Sequence, residues 1–461
     1  MSQSVTTKKF IEQRLDRLRE APRSVVQGRL KRVTGLLLEV EGLQTRIGGQ
    51  ACVRHETLGT WIDVECIGFD AGIAFFMAFD PVAGLSPGAP VFPLNVPQRS
   101  DRGYRMRTGI ASLPIGPALL GRVVDGLGRP LDGLGGASWN SSLVVPAKPN
   151  PLKRTSVSDA FDSGVRAINA LTTIGRGQRV GIFAGSGVGK SVLLSMLTRN
   201  SVADVIVIAL VGERSREVRE FCEEHLNEAA RKRAVVVAAP ADSSPLARAK
   251  GAEYATNVAT WFRDQGKHVV LIVDSLTRFA MAQREMGLAL GEVPVARGYP
   301  PSVFARIPEL VERVGNGESD AGSLTTFYTV LLEGDDVTDP VADAARSVLD
   351  GHIFLSRELA DSGHYPAIDV ERSISRVMPR VASDAHVRAA RRVKQLVSRY
   401  MGSRDMVSMG AYAPGNDDEL DLALKKWPKI RSFLRQDVSD AISLSQSVDQ
   451  LTSLLEEHDA S

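Results

Sequence analysis

Residues 179–200 read RVGIFAGSGVGKSVLLSMLTRN, an apolar run, a glycine-rich turn and a second apolar run in immediate succession. A strand that feeds a helix through so tight a turn needs a parallel sheet beside it and helices over it. Between Gly177 and Gly334 the same kind of run recurs as QRVGIFAG, ADVIVIALVG, RAVVVAAPA, KHVVLIVDS and LTTFYTVLLEG, with helical patterns between. These runs are apolar on both faces, as strands covered on both sides must be. The class that follows is α/β, a doubly wound parallel sheet.

The flanks differ in texture. From Val25 to about Val91, RLKRVTGLLLEVEG, TWIDVECIGF and GIAFFMAF are short β-rich runs separated by turn residues, which predicts a small closed or nearly closed β-barrel. PVFPLNVPQRS, GRVVDGLGRPLDGLGG and VVPAKPNPLKR read as turn-rich connections into the next domain. After Arg376 helical patterns dominate, as in DAHVRAARRVKQLVSRYM and DDELDLALKKWPKIRSFLRQ. Residues 8–20 place Phe10, Ile11, Leu15 and Leu18 at helical spacing among lysines and arginines, a short basic helix that is either a solvated tail or a docking site. The expected divisions are a helical segment over 1–22, the barrel over 23–95, the α/β domain over 96–378 and a helical domain over 379–461.

Composition narrows the function. Lysine and arginine total 56 against 54 acidic residues, so any basic partner site is local and a dedicated nucleic-acid binder is disfavoured. The three cysteines form no CxxC pair and are odd in number, which argues against a disulfide framework or a cysteine zinc site and for a reducing cytoplasm. The sequence contains no apolar run of 18 residues and no signal-peptide pattern at its start, so contact with a membrane would be peripheral.

The turn AGSGVGKS matches a phosphate-binding loop except at its first position, where Ala184 replaces glycine. Gly185, Gly187 and Gly189 let the backbone N–H groups from Gly185 through Ser186, Val188 and on to Val192 converge on phosphate oxygens at a helix N-terminus. Lys190 would bridge the β- and γ-phosphates, and the Ser191 hydroxyl would ligate Mg²⁺. HVVLIVDS ends a buried strand on Asp274, placed to hold Mg²⁺ through water or, more blandly, to cap a helix. In ALVGERSREV, Glu213 and Arg214 follow another apolar strand; Glu213 is the candidate to orient and polarise an attacking water, or else a surface partner of Arg214, and Glu217 the candidate to support metal-bound waters. All three features sit at carboxyl ends of strands, where open α/β sheets bind ligands. His352 and His364 lack metal-ligand spacing and read as structural.

Five segments together, GIFAGSGVGKS, GERSREV, DSLTRFAMAQRE, RGYPPSVFARIPELVER and GHYPAIDVERSISR, resemble the ATPases of type III protein export, relatives of the rotary ATP synthase catalytic subunits. AAPADSSPL, LVERVGNG and DSGHYPAIDVERSISR are similar to its flagellum-specific branch more than to its virulence injectisome branch. The resemblance implies a RecA-like P-loop ATPase core, ATP and Mg²⁺, and a homohexamer at the cytoplasmic face of the inner membrane. It further implies Arg376 as an arginine finger for the neighbouring subunit, Arg278 directed at the interface, and Tyr365 and Tyr412 flanking adenine. The partners implied are a negative regulator at the N-terminal segment, a central stalk protein, export substrates with their chaperones, and the export gate.

Three other readings are weighed. A rotary synthase catalytic subunit shares the fold, but this loop reads AGSGVGKS and the C-terminal region lacks a dense acidic motif. A hexameric RNA translocase would need aromatics and basic residues on the barrel, which LLLEVEGLQTRIGG does not offer. A nucleotide-binding module without turnover would have no use for Glu213 and Arg376.

Overall fold

The computed structural model describes residues 27–55, 59–94, 113–135, 150–318, 321–336 and 338–456, with a strand pair at Pro97–Ser100 and Gly103–Met106. The basic helix expected over residues 8–20 lies outside them. The chain divides into two compact units, Met1–Ser112 and Leu113–Ser461.

In the first unit, six strands form a closed barrel: β1 (Gly28–Thr34), β2 (Leu37–Glu41), β3 (Gln50–Arg54), β4 (Trp61–Asp70), β5 (Ile73–Ala78) and β6 (Pro90–Pro93), in the order β1-β2-β5-β4-β3-β6. Closure follows because β6 pairs with both β3 and β1, leaving no free edge. The alternation in LLEVE carries the inside and the outside: Leu38 and Val40 are buried opposite Phe76 and Ala74, while Glu41 is exposed. The strand pair Pro97–Ser100 and Gly103–Met106, β7 and β8, forms a separate hairpin.

The second unit is built on an eight-stranded sheet. Its strands are β9 (Val123–Asp125), β12 (Arg179–Ala184), β13 (Val205–Val211), β14 (Ala234–Ala239), β15 (His268–Asp274), β16 (Ser323–Leu331), β17 (Gly351–Leu355) and β18 (Ile368–Ser375), in the order β18-β17-β12-β16-β15-β13-β14-β9. All neighbours are parallel except β17 and β18. A two-stranded ladder, β10 (Ala160–Phe161) with β11 (Ile174–Gly175), stands apart from the sheet. GRVVDGLGRPLDGLGG, expected as a connection, supplies the edge strand β9; Asp132 accepts from the Arg122 guanidinium and the Val123 amide and so fastens the turn behind it.

The two-faced burial of the strands is explicit in β13. Ile206, Ile208 and Leu210 join one apolar cluster, and Val205, Val207, Ala209 and Val211 the other. The helices Pro245–Asp264, Leu276–Ala289, Pro301–Val311 and Pro340–Val348 contribute to the second cluster. The helix Lys190–Asn200 and the C-terminal helices Asp384–Ser408, Asp418–Leu434 and Leu444–Glu456 contribute to the first. The C-terminal helices therefore share a core with the helix that follows the glycine-rich turn.

Candidate active site

β12 ends on Ala184, whose carbonyl oxygen accepts from the Leu332 amide at 2.9 Å beyond β16. The chain then turns through Gly187 (φ 76°) and Gly189 (φ 88°), both left-handed and therefore suited to glycine. Between them Val188 is fully buried and anchors the loop, while Ser186 and Gly187 are exposed. Gly189 caps the helix Lys190–Asn200 without a side-chain acceptor, so the first-turn N–H groups have no cap from that residue. Leu193, Leu194, Met196 and Leu197 hold this helix to the sheet, which fixes where its N-terminus points.

Three strand ends converge on Lys190. Its ammonium donates to Glu213 Oε1 at 3.0 Å and to Asp274 Oδ1 at 2.5 Å. Asp274 closes β15, and Glu213 lies two residues past β13, its backbone held because Gly212 N donates to Ala239 O and Ala241 N donates to Glu213 O. On β16, which lies between β12 and β15, the Thr329 hydroxyl donates to Asp274 Oδ1 at 2.6 Å. Burial pushes the Glu213 carboxyl above its ordinary range against the pull of Lys190, and neighbouring Glu217 adds to the rise. Burial likewise pushes Asp274 up. Burial works against the Lys190 ammonium, but the two carboxylates outweigh it and hold the lysine charged. A cavity of about 70 Å³ adjoins this cluster, lined by Lys190, Ser191, Glu213, Glu217 and Asp274 together with Phe221 and His225.

The other sequence-selected residues surround this centre unevenly. Gly212 (φ 70°) packs on the Arg278 stem, where a Cβ would lie 2.8 Å from the arginine Cβ; Arg278 Nη1 donates to Met281 Sδ, and its Nε is buried and unpaired. Arg214 is exposed, 3.9 Å from Glu217. Arg376, just past β18, is exposed, and its Nη2 donates to Arg346 O at 3.5 Å. Tyr365 lies over the helix N-terminus: a Cβ on Gly189 would sit 3.1 Å from its ring. A second cavity, about 430 Å³, runs along Val192, Gly363 and Tyr365 to residues 435–438. Tyr412 is not among its lining residues, because the Tyr412 hydroxyl donates to Asp421 and to the Asp417 carbonyl at the start of the next helix.

Sequence reasoning missed Thr329, the pair Asp335 and Arg357, and the segment 435–438. Thr329 reads as one more β-branched residue in a buried strand, and only register pairs it with Asp274. Asp335 and Arg357 carry no motif, yet Arg357 reaches the Ser186 carbonyl. Residues Arg435 to Val438 come from a part of the chain with no nucleotide signature.

A set of one lysine, one buried and one partly buried carboxylate beside uncapped helix N–H groups can bind a polyanion and a divalent cation together. Among the described residues, no group of three or more His, Cys, Asp or Glu could hold a metal ion by itself. A cation here would need phosphate oxygens and the Ser191 hydroxyl, which is how Mg²⁺ is ordinarily held at nucleotides.

Comparison with known proteins bears on this arrangement. The model of the ATP synthase alpha/beta family nucleotide-binding domain matches residues 164–375, and that of the T3SS EscN ATPase C-terminal domain matches residues 382–453. The flagellum-specific ATP synthase of Pseudomonas aeruginosa is 53% identical over 94% of this chain and 93% of its own. The solved structure of the assembled ATPase EscN from the enteropathogenic E. coli type III secretion system covers 93% of this chain and 99% of its own, with 40% identity and a TM-score of 0.84. The same ATPase in complex with its central stalk EscO matches with 39% identity and a TM-score of 0.81 over 93% and 99% of the two chains.

Proposed function

The chain belongs to the family of flagellum-specific ATP synthases and type III secretion ATPases, and on that premise we propose that it hydrolyses ATP to drive flagellar type III protein export. The observation that carries the reading is the convergence of Lys190, Glu213 and Asp274 at the mouth of an uncapped helix N-terminus. The flagellar branch is favoured over the injectisome because identity reaches 53% with a flagellum-specific relative and 43 to 45% with type III secretion ATPases.

In this reading the amides of Gly185 to Val192, including those of Ser186, Gly187, Val188 and Gly189, cradle the phosphates, and Lys190 turns from the carboxylates to the β- and γ-phosphates. Ser191, and Asp274 through water with Glu217 behind it, would hold Mg²⁺, which would supply charge neutralisation. Glu213 accepts a hydrogen bond from the attacking water and polarises it; Thr329 holds Asp274 in its rotamer. Tyr365 and the segment 435–438 flank the base in the 430 Å³ cavity. Tyr412, outside the lining of that cavity, fastens the loop ahead of the helix Asp418–Leu434.

The working unit is a homohexamer in which Arg376 reaches the neighbouring subunit's nucleotide and Arg278 is directed at the same interface, while Arg214 beside Glu213 belongs to the catalytic group. EscN is described as an assembled ATPase and in complex with a central stalk, which supports a ring and a stalk partner for this chain. Residues 1–22 would meet the regulator. The barrel over 23–95, the ATPase domain over 96–378 and the helical domain over 379–461 complete the division of labour, with export substrates, their chaperones and the gate at the cytoplasmic membrane face as clients. No helix among the described residues is long and apolar enough to cross a membrane.

Glu213→Gln tests the chemistry. ATP binding is expected to persist while turnover falls by at least about 10²-fold. In the wild type, kcat/KM should decline on acidification at a pH above the ordinary carboxylate range, because the buried base must be unprotonated to act and its pKa is raised. Normal turnover in the glutamine variant would remove Glu213 from the mechanism.

A further inference from the structure

Two residues outside every recognisable motif grip the glycine-rich loop. Arg357, first in the helix Arg357–Asp361, donates from Nη2 to the Ser186 carbonyl oxygen at 3.1 Å and from Nε to Asp335 Oδ2 at 2.7 Å. Asp335 has a φ of 59°, a left-handed conformation that a non-glycine residue keeps only where its surroundings hold it. The pair is pressed onto the loop: a Cβ on Gly185 would overlap Asp335 Oδ1 and lie 2.8 Å from Arg357 Nη2.

Peptide geometry gives this grip a consequence. The Ser186–Gly187 bond is trans, so its C=O and N–H point in opposite directions across one plane. With the carbonyl tied to Arg357, the Gly187 N–H is turned to the other side of the loop. We infer that Arg357, braced by Asp335, is a positioning residue that aims the Gly187 N–H at a phosphate oxygen. This rests on the nucleotide-binding reading above. Neither side chain lines the cavity beside Lys190, so both act through the loop. The same short helix leads into Gly363 and Tyr365, so one arginine links the phosphate side of the site to the base side.

The side chains of Arg357 and Asp335 are 45% and 43% exposed. An ion pair that open to water contributes little to stability, which separates positioning from folding. Purified full-length protein would be titrated with ADP and with adenosine. Arg357→Ala is expected to weaken ADP about tenfold, the loss of one well-aimed backbone N–H to a phosphate oxygen, and to leave adenosine binding unchanged. Its melting temperature should stay within about 2 °C of the wild type. Arg357→Lys should recover only part of the ADP affinity, since a point charge replaces a fork. Asp335→Asn keeps the donor but removes its brace; a smaller ADP-only loss is expected, and this variant carries the test if Arg357→Ala does not fold. Unchanged ADP affinity in the variants, or equal losses for ADP and adenosine, overturns the positioning role while wild-type preference for ADP leaves the nucleotide reading intact. A wild type that binds ADP no better than adenosine overturns both.

Discussion

Ala184 shows how one side chain can depart from a motif without touching its chemistry. The residue is fully buried, pairs with Leu331 across the parallel β12 and β16 ladder, and does not adopt a positive φ. A methyl group there packs in the core, whereas the neighbouring Gly185 has no room for one beneath Asp335 and Arg357. Restoring the usual glycine with Ala184→Gly should therefore leave ADP affinity unchanged and cost about 1 kcal/mol of stability through a looser strand end and lost packing. Urea unfolding beside an ADP titration checks both; a gain in affinity would mean that the alanine impairs the loop. The same contrast separates the acidic residues. Asp274 is buried and Glu213 largely so beside a lysine, with burial acting on their proton affinity, whereas Glu217 is exposed.

Among the elements, the join between the helix Arg166–Leu171 and the C-terminal helices controls the base side of the site. Arg166 donates from Nε to Phe433 O at 2.6 Å, from Nη2 to the Ser432 and Arg435 carbonyls, and from Nη1 to Gln450, with its guanidinium over the Phe433 ring. It thus takes the end carbonyls of the helix Asp418–Leu434, where a cation is favoured by the helix dipole. Gln436 completes the clasp, accepting from Arg166 N and donating to Gly164 O, while its own amide donates to Tyr365 O. Arg166→Ala should cost about 2 kcal/mol and accelerate amide hydrogen exchange over residues 435–438, with a few-fold weaker hold on the adenine moiety. If exchange in that segment stays at the wild-type rate, the clasp does not govern it.

At the scale of the whole molecule, the site described in one chain holds Glu213 but leaves Arg376 exposed beyond β18. If the finger acts across a subunit boundary, Arg376→Ala and Glu213→Gln should each be nearly inactive alone, the former by about 10³-fold or more. Equimolar mixing after reassembly should restore about a quarter of the wild-type turnover, because a ring of symmetric contacts then pairs an intact Glu213 with an intact Arg376 at that fraction of boundaries. No recovery in the mixture would place the arginine in its own subunit's site or outside the chemistry.

The sequence by itself determined the local pieces. Strand, glycine turn and helix at 179–200, the two-faced β-runs, the alternating barrel strand LLEVE and the charged residues after β13 and β15 are all set by neighbours within one element, where periodicity and backbone preference act. Lys190, Glu213 and Asp274 were legible because parallel strands deliver their carboxyl ends to one edge, whatever the strand order. The tertiary structure alone decided the pairings that cross the sheet and the long loops. Register puts Thr329 on Asp274; a left-handed turn puts Asp335 against Gly185; and the packing of the C-terminal helices on the same apolar face as Lys190–Asn200 brings residues 435–438 to Tyr365. Those contacts join residues far apart in the chain, and no local pattern encodes a distance that only the closed core sets.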